Sequence, residues 1–159
     1  MYRYIKLLMI VPILFIFNPV LASELAPWGH ASVSDTTYEK QKVVFDLDSG
    51  SEEHLAILLD RTAFLRTVNG SDPFDNHIVV VIHGDAIPMF AIKNTEQYLE
   101  LMKQAHSQTL GGSIEFRMCG AAARMVGFEA EDIHGFITMV PMADAEIIRL
   151  QMEGYAYMR

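Results

Sequence analysis

Cysteine is almost missing from this chain, because Cys119 is the only one among 159 residues. A single cysteine excludes an internal disulfide, so crosslinks do not stabilise the fold. In an exported protein such a thiol meets an oxidising compartment. A leftover cysteine there indicates either pairing between molecules or a free reactive thiol.

Basic residues are also few, with 12 lysines and arginines against 20 aspartates and glutamates. Without a basic stripe, the chain is not expected to bind nucleic acid or an anionic membrane surface. The sequence contains neither G-x-G-x-x-G nor G-x-x-x-x-G-K, so no nucleotide-binding motif is present. We therefore expect no organic cofactor.

The first 22 residues have the pattern of a secretory signal peptide. Arg3 and Lys6 precede an apolar run at 7–17, and a V-x-A site ends at Ala22. The run is short for a membrane span, and an uncleaved anchor is the alternative. Cleavage removes two basic residues and no acid, so the net charge changes from −8 to −10. We predict a polar leader at 23–40 and a periplasmic or secreted location, with no membrane attachment after cleavage.

From residue 41 onwards, predicted strands alternate with predicted helices. The apolar run within 77–84 lacks polar alternation, which is typical of a strand buried on both faces of a parallel sheet. This order predicts an α/β domain with a mostly parallel sheet. The predicted strands are 42–48, 77–84, 113–119, 136–140 and 155–158, and the predicted helices are 52–68, 94–105, 120–126 and 143–153.

Cys119 is predicted to lie where a strand meets a helix. Side-chain alternation places Glu115, Arg117 and Cys119 on one strand face. Gly120 permits a tight turn, and the three alanines after it favour a helix. Unpaired N–H groups at a helix start favour negative charge, so a cysteine there is expected to form a thiolate readily. The competing interpretation is a cysteine that only packs in the core.

Other polar side chains are predicted at the same edge of the sheet, where ligands of parallel sheets collect. His83 follows the second strand and is a candidate to tune the thiol, with a structural strand-end cap as the alternative. Arg117 is a candidate to orient an anionic donor, with an ion pair as the alternative. Asp46 and Asp48 are interpreted as structural or solvated acids, because no further acids stand at matching strand ends.

No metal site is predicted. Soft ligands of the kind that copper prefers are offered by Met118, Met125, Met139, Met142 and Cys119. They lack a short-range ligand spacing, and methionine more often fills gaps in a core or an interface.

Four stretches resemble the DsrE/DsrF-like family of sulfur-relay proteins and their YchN-like relatives. The resemblance covers 41–159, and the Cys-x-Ala-Ala-Ala run is its most specific part. The four stretches are IHGDAI at Ile82–Ile87, FRMCGAAARMVG at Phe116–Gly127, EDIHGFITMVP at Glu131–Pro141 and LQMEGYAYM at Leu150–Met158.

The resemblance implies a flavodoxin-like domain of about five strands and homo- or hetero-oligomers of trimeric or hexameric kind, and for this chain we expect a homo-oligomer. It also implies persulfide transfer on Cys119 between sulfur donor and acceptor proteins or small thiols. The sequence is compatible with a persulfide transferase or with a carrier on which other proteins act. The alternative is a non-catalytic oligomeric module that binds a small anion and in which Cys119 is structural.

Overall fold

The computed structural model describes Ala26, residues 28–70 and residues 76–159. Residues 37–159 form one compact unit, and the described residues before them belong to a second unit. The predicted signal peptide lies outside the described residues. Within the part of the chain that is described, no helix is long and apolar enough to cross a membrane.

The elements follow the predicted order of strands and helices. In the described residues, three short 3-10 segments join them, at Gly84–Phe90, Ile92–Asn94 and Ala130–Asp132. The strands are β1 Lys42–Leu47, β2 His77–Ile82, β3 Ile114–Cys119, β4 Ile137–Val140 and β5 Ala156–Met158. The helices are α1 Glu52–Val68, α2 Thr95–Thr109, α3 Gly120–Met125 and α4 Ala143–Met152.

Two boundaries differ from the sequence prediction for local reasons. β2 ends at Ile82 instead of continuing to Gly84, because Gly84 has a φ of +56° and turns the chain away from the sheet. α2 continues to Thr109 instead of ending near Ala105. Its last turn is held by packing, since Gln108 is buried and its side-chain amide donates to Leu59 O of α1 at 2.8 Å.

The five strands form one sheet in the order β4-β3-β2-β1-β5, and every neighbouring pair is parallel. The predicted α/β class and parallel sheet are confirmed, and the architecture is a flavodoxin-like three-layer fold. In a sheet of this kind all the carboxyl ends of the strands lie at one edge. The residues that end β1, β2 and β3 are therefore neighbours in space.

The two faces of the sheet are covered unequally. The face that packs against α1 and α2 contains the larger core, with Phe45, Leu47 and Phe116 almost fully buried. The opposite face, which we call the α4 face, has a smaller apolar cluster consisting of Val44, Val79, Val81, Cys119, Ala143, Ile147 and Leu150. Because strand side chains alternate, the polar residues interleaved with the large core all belong to the α4 face.

Candidate functional site

Cys119 is the last residue of β3 and the N-cap of α3, as the sequence predicts for this junction. Its Sγ accepts a hydrogen bond from the backbone N–H of Ala122 at 3.4 Å. The residue is 5% exposed and packs in the apolar cluster with Val81 and Ala143. The sulfur therefore lies at a helix start but beneath a nearly closed surface.

The turn after Cys119 is held close to the end of β4. A Cβ on Gly120 would lie 3.1 Å from Val140 O, and the N–H of Ala121 donates to Pro141 O at 3.2 Å. Gly120 does not have a positive φ. The structural reason for this glycine is close approach between two chain segments, whereas the sequence suggested only a tight turn.

An open cleft of about 370 Å³ borders this junction. Its lining includes Gly120, the side chain of Arg124, and Val140 and Pro141 at the end of β4. The guanidinium Nη1 of Arg124 lies 3.4 Å from the point that a Gly120 Cβ would occupy. A small molecule in this cleft would be next to the residue that follows the thiol.

His83 lies beside Cys119 at the edge of the sheet. Ile82 pairs with Met118 in the β2–β3 register, so the residues that follow them, His83 and Cys119, are adjacent on strands about 4.8 Å apart. Alternation places both side chains on the α4 face. The hydrogen bonds of the described residues do not join the imidazole to Sγ, which bonds only the N–H of Ala122.

The imidazole of His83 is bound to an acid on the next strand. His83 Nε2 and Asp46 Oδ1 are 2.6 Å apart, and the Tyr157 hydroxyl donates to Asp46 Oδ2 at 2.7 Å. The backbone N–H of His83 also donates to Leu47 O at 2.9 Å, as expected for a strand-end cap. Cys119, His83, Asp46 and Tyr157 thus follow one another diagonally across the ends of β3, β2, β1 and β5, and we call these four residues the strand-end row.

Arg117 is placed differently from the other two predicted site residues. Its guanidinium donates to Glu115 Oε2 at 2.6 Å and to Glu146 Oε1 of α4. Burial alone would lower the pKa of Arg117, but the two carboxylates raise it above its ordinary value. Arg117 is therefore in an ion-pair network that fastens α4 to the sheet, and the structure does not bring it into the strand-end row.

This network continues along the α4 face. His77 Nε2 bonds Glu115 Oε1 at 2.8 Å, and His77 Nδ1 bonds the Tyr155 hydroxyl at 2.5 Å. Burial would raise the pKa of Glu115, but Arg117 and His77 together lower it. Hydrogen bonding from Arg149, with a smaller contribution from Arg117, lowers the pKa of Glu146 to about 2.

The two acids near the end of β1, Asp46 within the strand and Asp48 just after it, have different roles. Asp48 Oδ2 accepts from Arg159 Nη2 at 2.6 Å near the chain end, in keeping with a structural acid. Asp46 was given the same interpretation from sequence, but the structure places it against His83. Within residues 28–70 and 76–159, no group of three or more His, Cys, Asp and Glu side chains is arranged to hold a metal ion.

These features define a class: an α/β protein of five parallel strands whose single cysteine caps the helix after β3, beside a histidine–aspartate pair. The DsrE/DsrF-like family model matches residues 42–159, and the chain belongs to that family. The family is in general one of sulfur-relay proteins. No curated protein matches the chain.

One similar solved structure is MTH1491 from Methanobacterium thermoautotrophicum, described as a protein of unknown function. It is 23% identical, with a TM-score of 0.61, and the match covers 75% of this chain and 98% of that one. This likeness supports the fold alone.

Proposed function

We propose that this protein is exported and carries sulfane sulfur as a persulfide on Cys119. The observation that carries the proposal is the position of the chain's single thiol, at the N-cap of α3 within a DsrE/DsrF-like domain. An exported chain with one cysteine has no internal partner that would close a disulfide on the sulfur. The signal-like pattern of the first 22 residues supports export.

The transfer conserves atoms and electrons. The Cys119 thiolate attacks the outer sulfur of a donor persulfide, R–S–SH, and the S–S bond of the donor breaks. Cys119 becomes Cys–S–SH, and the donor leaves as a thiolate that takes up one proton to become R–SH. Delivery to an acceptor thiol is the same exchange in reverse. No external oxidant or reductant is consumed.

His83 is the candidate proton carrier for both halves of this exchange. It accepts the thiol proton before attack and returns it to the leaving thiolate. Its place beside Cys119 on the α4 face supports this role, since one imidazole can act as base and then as acid.

Donor and acceptor are proposed to be thiol proteins or small thiols, and the protein to be a homo-oligomer. Exposed apolar side chains support an assembly. On α4, Ile148 is 57% exposed and Met152 is 85% exposed. Such side chains are typical of a surface that is covered in an interface.

The test is intact-mass analysis of the purified protein after exposure to glutathione persulfide, with Cys119→Ser as the control. We expect a reducible gain of one sulfur atom in the wild type alone. Because serine is nearly isosteric with cysteine, the variant should keep the melting temperature within a few degrees, about 1 kcal/mol or less in stability.

The 5% exposure of Cys119 favours one alternative, in which the thiol only packs and the protein binds a small anion. Alkylation by iodoacetamide separates the two. A carrier thiol reacts in the native protein near neutral pH, whereas a packed thiol reacts only after unfolding in urea. No sulfur gain together with no native alkylation would end the carrier proposal.

A further inference from the structure

The bond between Asp46 and His83 joins two residues that the sequence gives no reason to pair. Nε2 and Oδ1 are 2.6 Å apart, and the Asp46 side chain is only 12% exposed. A carboxylate can only accept hydrogen bonds, so the bonded nitrogen of His83 carries the proton. In the neutral imidazole, Nδ1 is then the basic nitrogen. Among the described residues Nδ1 has no hydrogen-bond partner.

We propose that Asp46 is a positioning residue: it holds His83 in the tautomer whose Nδ1 is free to accept the proton of Cys119. The inference rests on the proposed function and deepens it by adding a second residue of the reaction. Asp46 lies on the far side of His83 from Cys119, because β2 separates β1 from β3 in the sheet. It acts through the imidazole and does not touch the sulfur.

Tyr157 fixes the carboxylate in turn. Its hydroxyl donates to Asp46 Oδ2 at 2.7 Å, so the two oxygens of Asp46 have different partners and the group cannot rotate freely. The hydrogen bond to Asp46 raises the pKa of Tyr157, which keeps the hydroxyl protonated as a donor. β5 therefore contributes to the row from the opposite end of the chain.

The neighbouring charges leave this arrangement undisturbed. Asp48 lies two residues after Asp46, just past the end of β1, and its carboxylate is bound to Arg159. The guanidinium of Arg117 is engaged by Glu115 and Glu146. Asp48 thus provides a matched control, since it is an acid of the same size, two residues along, with a bond of its own.

The experiment measures the rate of sulfur uptake by mass at saturating glutathione persulfide in the full chain. Asp46→Asn is expected to slow uptake at least about tenfold while the donor concentration for half-maximal rate changes little. Tyr157→Phe should slow uptake less, and Asp48→Asn should not slow it. Adding Asp46→Asn to His83→Gln should cause no further loss, because both act through the same imidazole.

The ring-nitrogen NMR signals of His83 give a readout that a merely structural aspartate would not move. The wild type should show the Nε2–H tautomer, and Asp46→Asn should shift the population towards Nδ1–H, because an asparagine amide can donate to Nε2. If Asp46→Asn and Asp48→Asn take up sulfur equally fast with an unchanged tautomer, the inference is wrong.

Failure of this inference is distinguishable from failure of the proposed function. The inference concerns the rate of uptake, whereas the function requires that uptake on Cys119 occurs at all. Normal final uptake with no effect of Asp46→Asn would reject the positioning role and keep the carrier. If Asp46→Asn fails to fold, the wild-type imidazole decides: an Nδ1–H tautomer of His83 in the wild type would overturn the proposal, because a carboxylate at Nε2 requires the Nε2–H form.

Discussion

Replacing Gly50 with alanine should strain the loops that hold the strand-end row. A Cβ at Gly50 would lie 2.8 Å from the backbone oxygen of Asp85, closer than non-bonded carbon and oxygen atoms approach. The contact is reciprocal, since a Cβ at Gly84 would lie 3.1 Å from Asp48 O. The loops after β1 and β2 therefore interlock backbone against backbone, next to Asp46 and His83.

The cost of Gly50→Ala in unfolding free energy depends on which atoms must move to make room for the new Cβ. The contact atom is a backbone carbonyl, which cannot swing aside as the end of a flexible side chain can. Forcing one extra carbon into such a contact costs about 1–3 kcal/mol. We expect Gly50→Ala to lower the free energy of unfolding by about 2 kcal/mol.

Gly135→Ala is the matched control. A Cβ at Gly135 would have no atom within 4 Å, and Gly135, like Gly50, does not have a positive φ. Alanine there should be neutral or stabilise by about 0.5 kcal/mol, because it reduces the freedom of the unfolded chain.

Urea unfolding followed by circular dichroism measures both variants. The urea concentration at half-unfolding should be lower for Gly50→Ala than for Gly135→Ala. The slope of unfolding free energy against urea concentration should be equal in the two variants, since the surface exposed on unfolding is unchanged. Equal urea midpoints for Gly50→Ala and Gly135→Ala would refute the reasoning, because they would mean that the loops after β1 and β2 accommodate the extra carbon at no cost in free energy. Gly50→Ala should also slow sulfur uptake on Cys119, as the strand-end row shifts with the loops.

Two further predictions concern polar groups far apart in sequence. The pKa of Glu146 is lowered from 4.5 to about 2 by Arg149 and Arg117, so its contribution to stability is complete above pH 4.5 and is lost as the pH falls towards 2. Allowing for solvent screening, Glu146→Gln should lower the free energy of unfolding by roughly 1–2 kcal/mol at neutral pH. The melting temperature of the variant should also fall less steeply than that of the wild type as the pH is lowered from 4.5 towards 2, and an equally steep fall would contradict this. The buried Thr62 hydroxyl contacts Gln108 Oε1 at 2.8 Å. Thr62→Val should lower the free energy of unfolding in urea by about 1–2 kcal/mol, because it leaves the buried Gln108 oxygen without this partner. A variant as stable as the wild type would exclude this bond as a contributor to stability.

Much of the fold follows from local sequence signals. The apolar run of β2 indicates a strand buried on both faces, and the structure places it in the middle of the sheet. Ser51 before two glutamates marks the start of α1, and its hydroxyl accepts from the N–H of His54 at 3.3 Å. The junction at Cys119 was predictable for the same reason, since alternation, a glycine and three alanines all act within a few residues.

The candidate site was only partly accessible from sequence. Strand-end position alone indicated His83, and alternation alone indicated Arg117. Neither signal identifies a partner, so the ion pair of Arg117 with Glu146, 29 residues later, was visible only in the structure. Asp46 was interpreted as a structural or solvated acid because no further acids stand at matching strand ends, and a histidine partner 37 residues away leaves no local signal.

The sequence by itself determined the class of fold, the order of its elements, the family and the place of the thiol at a strand-to-helix junction, because these depend on neighbours in the chain. The tertiary structure alone decided which polar side chains surround that junction. Asp46 is 37 residues from His83 and 111 from Tyr157, and the three meet because β1 lies between β2 and β5. That order of strands is set by how the helices cover the two faces of the sheet, which no short stretch of the chain encodes.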